Sequence, residues 1–280
     1  MIWFMYFPKF WSRGSGQAND IRTQAWGWSD TSKEEAARLG ASRAQRVAEA
    51  IQRGDSGKGY LYGQNPLREP VLQEFGYGIV TRNGYGCEVL NTPSVLFCDI
   101  DIEESAHKSG GILSGLFGKK QAASSMSPAE EKAMGKVHSW VSSNSSWGIQ
   151  AYRTKAGLRL IATHDVFDPM GDAAARFFEA VSADKYFTTL CKVQKSFRAR
   201  LTPKPWRCGQ KVPPARWPFI GQQEERAFAE WLRKYEAAAA GNAVCGRLER
   251  LGSYGVHRSV EELLRYHDAR TKADSGLPLA

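Results

Sequence analysis

Asn83-Gly84 sits between two short runs rich in β-branched and aromatic residues, 77–82 and 85–90. A type I′ turn needs positive φ at both central residues, which Asn and Gly adopt at least cost, so the dipeptide predicts a two-residue hairpin. Asn91-Thr92-Pro93 makes a second turn, and residues 94–102 a third strand. A chain that must seat this antiparallel meander needs further elements to cover it, and the remaining sequence supplies them.

The first helix is expected over 33–53, where Ser32 with Glu35 fits a capping box and Ala36, Leu39, Ala44, Val47, Ala48 and Ile51 recur at helical spacing. Ser127-Pro128 with Glu130 and Glu131 starts a second helix, reaching about 142. Strands follow over 147–154 and 158–164 across Lys155-Ala156-Gly157, then helices over 172–182 and 184–194. Residues 105–127 are rich in Ser, Gly, Lys and Ala and read as a flexible insertion. Pro203, Pro205, Pro213, Pro214 and Pro218 mark an irregular stretch, after which helices are expected over 224–240, 244–251 and 259–267. The pattern is that of an α+β fold, a mainly antiparallel sheet with helices on one face, plus a C-terminal helical appendage. The division expected is a core over 1–210 and the appendage over 211–280.

Thirty-eight Lys and Arg against 29 Asp and Glu give a formal charge of +9 over 280 residues, which favours anionic partners without requiring them. Five cysteines, none in a CxxC pair, argue against a disulfide scaffold or a thiolate zinc site and suit a reducing, cytoplasmic setting. The opening run Met1–Pro8 is apolar but far short of the roughly 20 residues that a spanning helix needs. It reads as a buried strand or an aromatic cover on the core, with interfacial membrane contact as the alternative; Trp26-Gly27-Trp28-Ser29-Asp30 reads as an aromatic cover before the first helix. No Gly-x-Ser-x-Gly, HExxH or dinucleotide-binding glycine fingerprint occurs.

Three segments carry residues suited to chemistry. Along 99–103, Asp99, Asp101 and Glu103 alternate with Ile100 and Ile102, so the three carboxylates share one strand face. Hard oxygen ligands at this spacing suit Mg²⁺ or Mn²⁺, and such a cation bridges triphosphate oxygens in phosphoryl transfer; the other reading is a strand end whose acids pair with nearby Lys and Arg. In the 147–164 hairpin, Arg153, Lys155 and Arg159 cluster near the turn with His164 at the end, a set that matches phosphate oxygens or is plain surface charge. In 197–208, Arg198, Arg200, Lys204 and Arg207 interleave with Phe197 and Trp206, as suits holding phosphates and stacking a base; equally, the rings are core anchors under Arg stems. His267-Asp268 ends the last helix; a His and acid pair can serve catalysis, and a cationic His also suits the helix dipole.

A strand ending in Asp-x-Asp, then a helix, then a basic Arg-Thr-x-x-Gly-Leu hairpin resembles the archaeo-eukaryotic primase and primase-polymerase superfamily over residues 94–164. The chain as a whole also resembles a bacterial protein family. The first resemblance implies a palm related to the RRM fold, with Asp99 and Asp101 as metal-binding carboxylates for nucleotidyl transfer. It also implies a small residue-x-His motif in the second hairpin strand and a third downstream acid. Here Arg159 follows Gly-Leu, His164 comes late, and the third acid has no clear counterpart. The expectation is a metal-dependent nucleotidyl- or phosphoryl-transfer enzyme, primase-like, with nucleotides and DNA or RNA as partners. The alternative is a non-catalytic nucleic-acid-binding protein that uses the basic hairpin and the 198–207 segment.

Overall fold

The computed structural model describes residues 6–55, 65–102 and 126–280. Glu103 and nearly all of the 105–127 insertion lie outside them, as do residues 1–5. The protein is α+β, with antiparallel sheets, interspersed helices and a helix near the C-terminus. No helix among the described residues is long and apolar enough to cross a membrane. The chain forms two compact units, one from Met1–Phe75, Ile79–Asn91 and Lys204–Ala240, the other from Gly76–Gly78, Thr92–Pro203 and Gly241–Ala280.

The first unit opens with an antiparallel hairpin, β1 (Phe10–Ala18) and β2 (Ile21–Ser29), turned at Asn19-Asp20 with Asn19 at φ +51°. Helix α1 (Lys33–Gln52) lies directly on it. A Cβ on Gly14 would fall 1.9 Å from the Ala41 nitrogen, so only glycine lets strand and helix approach this closely. The buried stripe of α1 is correspondingly Ala36, Gly40, Ala44 and Ala48, whereas Leu39 and Ile51 of the expected apolar stripe stay exposed. Ser32 caps α1 at the Glu35 nitrogen, but the Glu35 carboxylate takes the Ser29 hydroxyl, so the expected capping box is half formed. The hairpin itself went unforeseen; Trp26 and Trp28 are strand residues within it.

Strands β3 (Val71–Phe75), β4 (Gly78–Arg82) and β5 (Glu88–Thr92) neighbour one another in that order. The link between β4 and β5 is not the two-residue turn that Asn83-Gly84 predicts. The Asn83 carboxamide accepts bonds from the Tyr85 and Cys87 nitrogens, and the left-handed residue is Gly86, at φ +81°. The indole of Trp231 presses on Gly86 from α5 (Gln222–Ala239), where any Cβ would collide with it. Trp231 stacks on Tyr235 and donates its indole N–H to the Lys211 carbonyl, which ties the 205–220 segment to α5.

The second unit is built on a four-stranded antiparallel sheet in the order β10-β7-β8-β6: β6 is Phe97–Asp101, β7 Gly148–Thr154, β8 Gly157–Ala162 and β10 Cys245–Gly252. The last corrects an expectation, since residues 244–251 read as helix. Val244, Leu248 and Leu251 do repeat at helical spacing, but pairing along β7 supplies a hydrogen-bond ladder that an isolated short helix cannot match, with a register shift between Arg247 and Arg250. Helix α2 (Pro128–Ser143) begins with a complete capping box between Ser127 and Glu130. With α3 (Asp172–Ala180) it covers one sheet face through Trp140, Trp147 and Phe177. Helix α4 (Lys185–Gln194) leads into the short strand β9 (Phe197–Arg200), and α6 (Arg258–Thr271) lies over the other face.

Candidate functional site

Strand periodicity and register together place four polar side chains in one row across the second unit's sheet. Asp99 on β6 pairs with Arg159 on β8, Arg159 with Tyr152 on β7, and Tyr152 with Arg247 on β10. Directly opposed residues point to the same face, so all four meet α6. Arg159 is 1% exposed. Its Nε and Nη2 grip the two Asp99 oxygens at 2.8 and 2.9 Å, and Nη1 donates to the Arg200 carbonyl at 2.8 Å. His267 lies 3.5 Å from Nη1 and, on its other side, 3.0 Å from the Asp268 carboxylate. Asp268 also accepts from the Tyr152 hydroxyl at 2.6 Å and from Arg247 at 2.7 Å, and Arg247 reaches Asp274 as well.

Every charge in this row has a partner of opposite sign, as burial demands. Burial pushes the Asp99 carboxyl upward, but the Arg159 charge and its two hydrogen bonds outweigh that and hold it below the usual range. Asp268 is likewise lowered: its bonds to His267 and Tyr152 and the nearby positive charge overcome burial. Burial pulls the His267 pKa down, Arg159 adds to this, and the Asp268 contacts only partly oppose it, which favours the neutral ring. A neutral ring donating from Nδ1 to Asp268 leaves Nε2 to accept from Arg159.

The expected phosphate-binding hairpin is therefore divided. Arg153 alternates away from Arg159 to the opposite face, where it pairs with Glu130 of α2 at 2.6 Å. Lys155 is exposed in the turn. His164 packs against Trp147 and Phe167, and burial lowers its pKa. On β9, Phe197 and Ala199 are buried while Arg198 and Arg200 are half-buried, and Arg198 meets Gln194.

A divalent cation needs carboxylate lone pairs turned toward a common point. Both oxygens of Asp99 are engaged by Arg159, and Asp101 is exposed at the end of β6. Among the described residues no group of three His, Cys, Asp or Glu is placed to hold a metal ion. Asp99 is thus part of a compensated buried arginine pair, while Glu103, the third carboxylate of the expected set, lies outside the described residues.

Sequence reasoning missed Tyr152 and Arg247. Strands joined across all three of Lys155-Ala156-Gly157 would set Arg153 opposite Arg159. The observed turn is Lys155-Ala156 alone, with Gly157 already in β8, and this one-residue difference is what brings Tyr152 opposite Arg159.

The rest of the basic segment belongs to the first unit. After Pro203 the chain makes a single 3-10 turn, Pro205–Cys208, closed by Gly209 at φ +76°. It presents Trp206, 49% exposed, edge-on to Tyr85, 48% exposed, with ring centroids 5.4 Å apart. Lys204 lies 5.6 Å from the Trp206 ring, Arg207 follows on the turn, and the Arg216 side chain runs beside Gly84. Tyr85, at the tip of the β4–β5 connection, was not foreseen. Comparison with family models, curated proteins and solved structures finds no match to this chain.

Proposed function

We propose that the chain is a nucleic-acid-binding protein that takes single strands by stacking bases on Trp206 and Tyr85, with Lys204, Arg207 and Arg216 facing the phosphates. The observation that supports this most is the exposed aromatic pair itself. Two large rings left about half in water, beside cations, carry a free-energy cost that a stacking ligand removes. The mounting of the ring favours stacking too. Pro203, Pro205 and the closed 3-10 turn pre-order Trp206, so little conformational entropy is lost on binding. The formal charge of +9 favours encounter with a polyanion. The metal-dependent reading has no comparable support, because Arg159 is committed to Asp99 and Arg153 to Glu130.

Fluorescence anisotropy with a labelled oligothymidine tests the reading. Trp206→Ala and Tyr85→Ala are each expected to weaken binding by about 1–3 kcal/mol without altering the salt slope, since stacking releases no counterions. Binding is expected to persist in a metal chelator. A wild-type chain that binds no oligonucleotide at low salt, or a Trp206→Ala chain that binds as tightly as wild type while remaining folded, overturns the proposal.

A further inference from the structure

The β1–β2 hairpin has two unlike faces. Gly14, Gly16 and Gly27 lie on α1. By strand alternation and register, Trp11, Arg13, Ser15 and Gln17 share the other face with Trp28, Trp26, Gln24 and Arg22. That face carries two arginines, three tryptophans and no carboxylate; Trp11 is buried and Trp26 and Trp28 are half-buried, so the arginines are its accessible charged part. The Arg13 guanidinium lies 4.9 Å from the centre of the Trp26 ring and that of Arg68 5.0 Å from the same ring. Arg43 lies 4.0 Å from the Trp28 ring. Arg13 and Arg22 are exposed, and among the described residues neither forms an ion pair, whereas Arg53, Arg82, Arg153, Arg159 and Arg247 all do.

We infer that this outer face is a second contact surface for nucleic acid, holding the phosphodiester backbone of a strand whose bases stack at Trp206 and Tyr85. The inference rests on the nucleic-acid reading above and extends it to a separate element. A guanidinium held over an indole is attracted to the electron-rich ring face yet keeps its charge and N–H donors, a fork that phosphate oxygens match. Contact with the Trp26 ring also restricts the Arg13 side chain beforehand, so fixing it against a phosphate loses less entropy. The 211–220 segment reaches both surfaces. Trp217 packs edge-on against Trp11 of β1, with centroids 6.3 Å apart, while the neighbouring Arg216 lies beside Gly84, next to Tyr85.

The test measures the affinity of full-length protein for an oligothymidine of about 16 nucleotides as salt is raised, for wild type, Arg13→Ala/Arg22→Ala, Arg13→Lys/Arg22→Lys and Trp206→Ala. Two lost phosphate contacts are expected to make the salt slope shallower by about 1.4. Between 50 and 200 mM salt the wild type then loses about sevenfold more affinity than the double alanine variant. The double lysine variant keeps the wild-type slope but binds more weakly, because the charge remains and the fork does not. If the alanine variant matches wild type in affinity and slope while Trp206→Ala weakens binding, the hairpin inference fails and the stacking site stands. If the wild type binds no strand at all, both fail.

Discussion

Asp99→Asn is the substitution that weighs the two readings of the acidic strand most directly. It leaves volume and shape nearly unchanged and removes one negative charge. Arg159, 2% exposed in its side chain, then keeps a full positive charge with only neutral groups beside it, the Asn carboxamide, the Arg200 carbonyl and the His267 ring. One of its N–H groups then faces the carboxamide NH2. Breaking a buried pair in this way costs about 3–5 kcal/mol, and the 28% exposure of the Asp99 side chain puts the value at the low end, about 3 kcal/mol. For a unit of this size that corresponds to a fall in Tm of about 6–12 °C, read by circular dichroism or calorimetry at neutral pH. Arg159→Met added to Asp99→Asn is expected to recover at least half of the loss, because the stranded charge goes with it. A site of mutually repelling carboxylates would give the opposite sign: in chelator, removing one charge would raise the Tm. A Tm for Asp99→Asn that is unchanged or raised refutes the reasoning, since Arg159 then does not depend on Asp99 for its charge balance.

Two further outcomes follow from the packing of each unit. His267 has a lowered pKa, so the unfolded chain takes up a proton near pH 6.5 before the folded one does, and stability falls as pH drops below about 6.5. The contributions of Asp99 and Asp268, both lowered, are fully present above about pH 4 and are lost only below it. His267→Gln should therefore flatten the dependence of Tm on pH between about 5 and 6.5 without abolishing it, because the His164 pKa is also lowered; an unchanged slope would contradict the buried neutral ring. Gly14→Ala should destabilise by about 1–3 kcal/mol or more, because its methyl meets the α1 backbone, while Gly76→Ala, with open space around it, should stay within about 0.5 kcal/mol. Equal chemical-denaturation midpoints for the two variants would show that the hairpin does not rest on α1 as described.

Local signals determined the elements whose stability is itself local. Helix α2 was legible because Ser127, Pro128 and Glu130 satisfy its orphan N–H groups from within the sequence. Strands β7 and β8 were legible because a turn and strand-forming residues lie within one short stretch, but their register was not, since Gly157 belongs to β8 and only that places Arg159 opposite Tyr152. The type of residue at 99, 159 and 206 was also plain, which is why these positions stood out as chemistry. What each does was not legible, since it depends on partners far away in sequence. Arg159 is a compensated core residue because Asp99, 60 positions earlier, and His267, 108 later, converge on it. Residues 244–251 took the strand form because the β7 edge was there to pair with them, a long-range gain that outweighs a short helical repeat. The β1–β2 hairpin escaped notice because its α1-facing side is made largely of small residues, with Gly14, Gly16 and Gly27 at the contact, which carry no hydrophobic signal although they let strand and helix backbones approach closely. Trp206 and Tyr85 became a pair only when the turn after Pro203 was laid beside the β4–β5 connection, more than a hundred residues away in sequence.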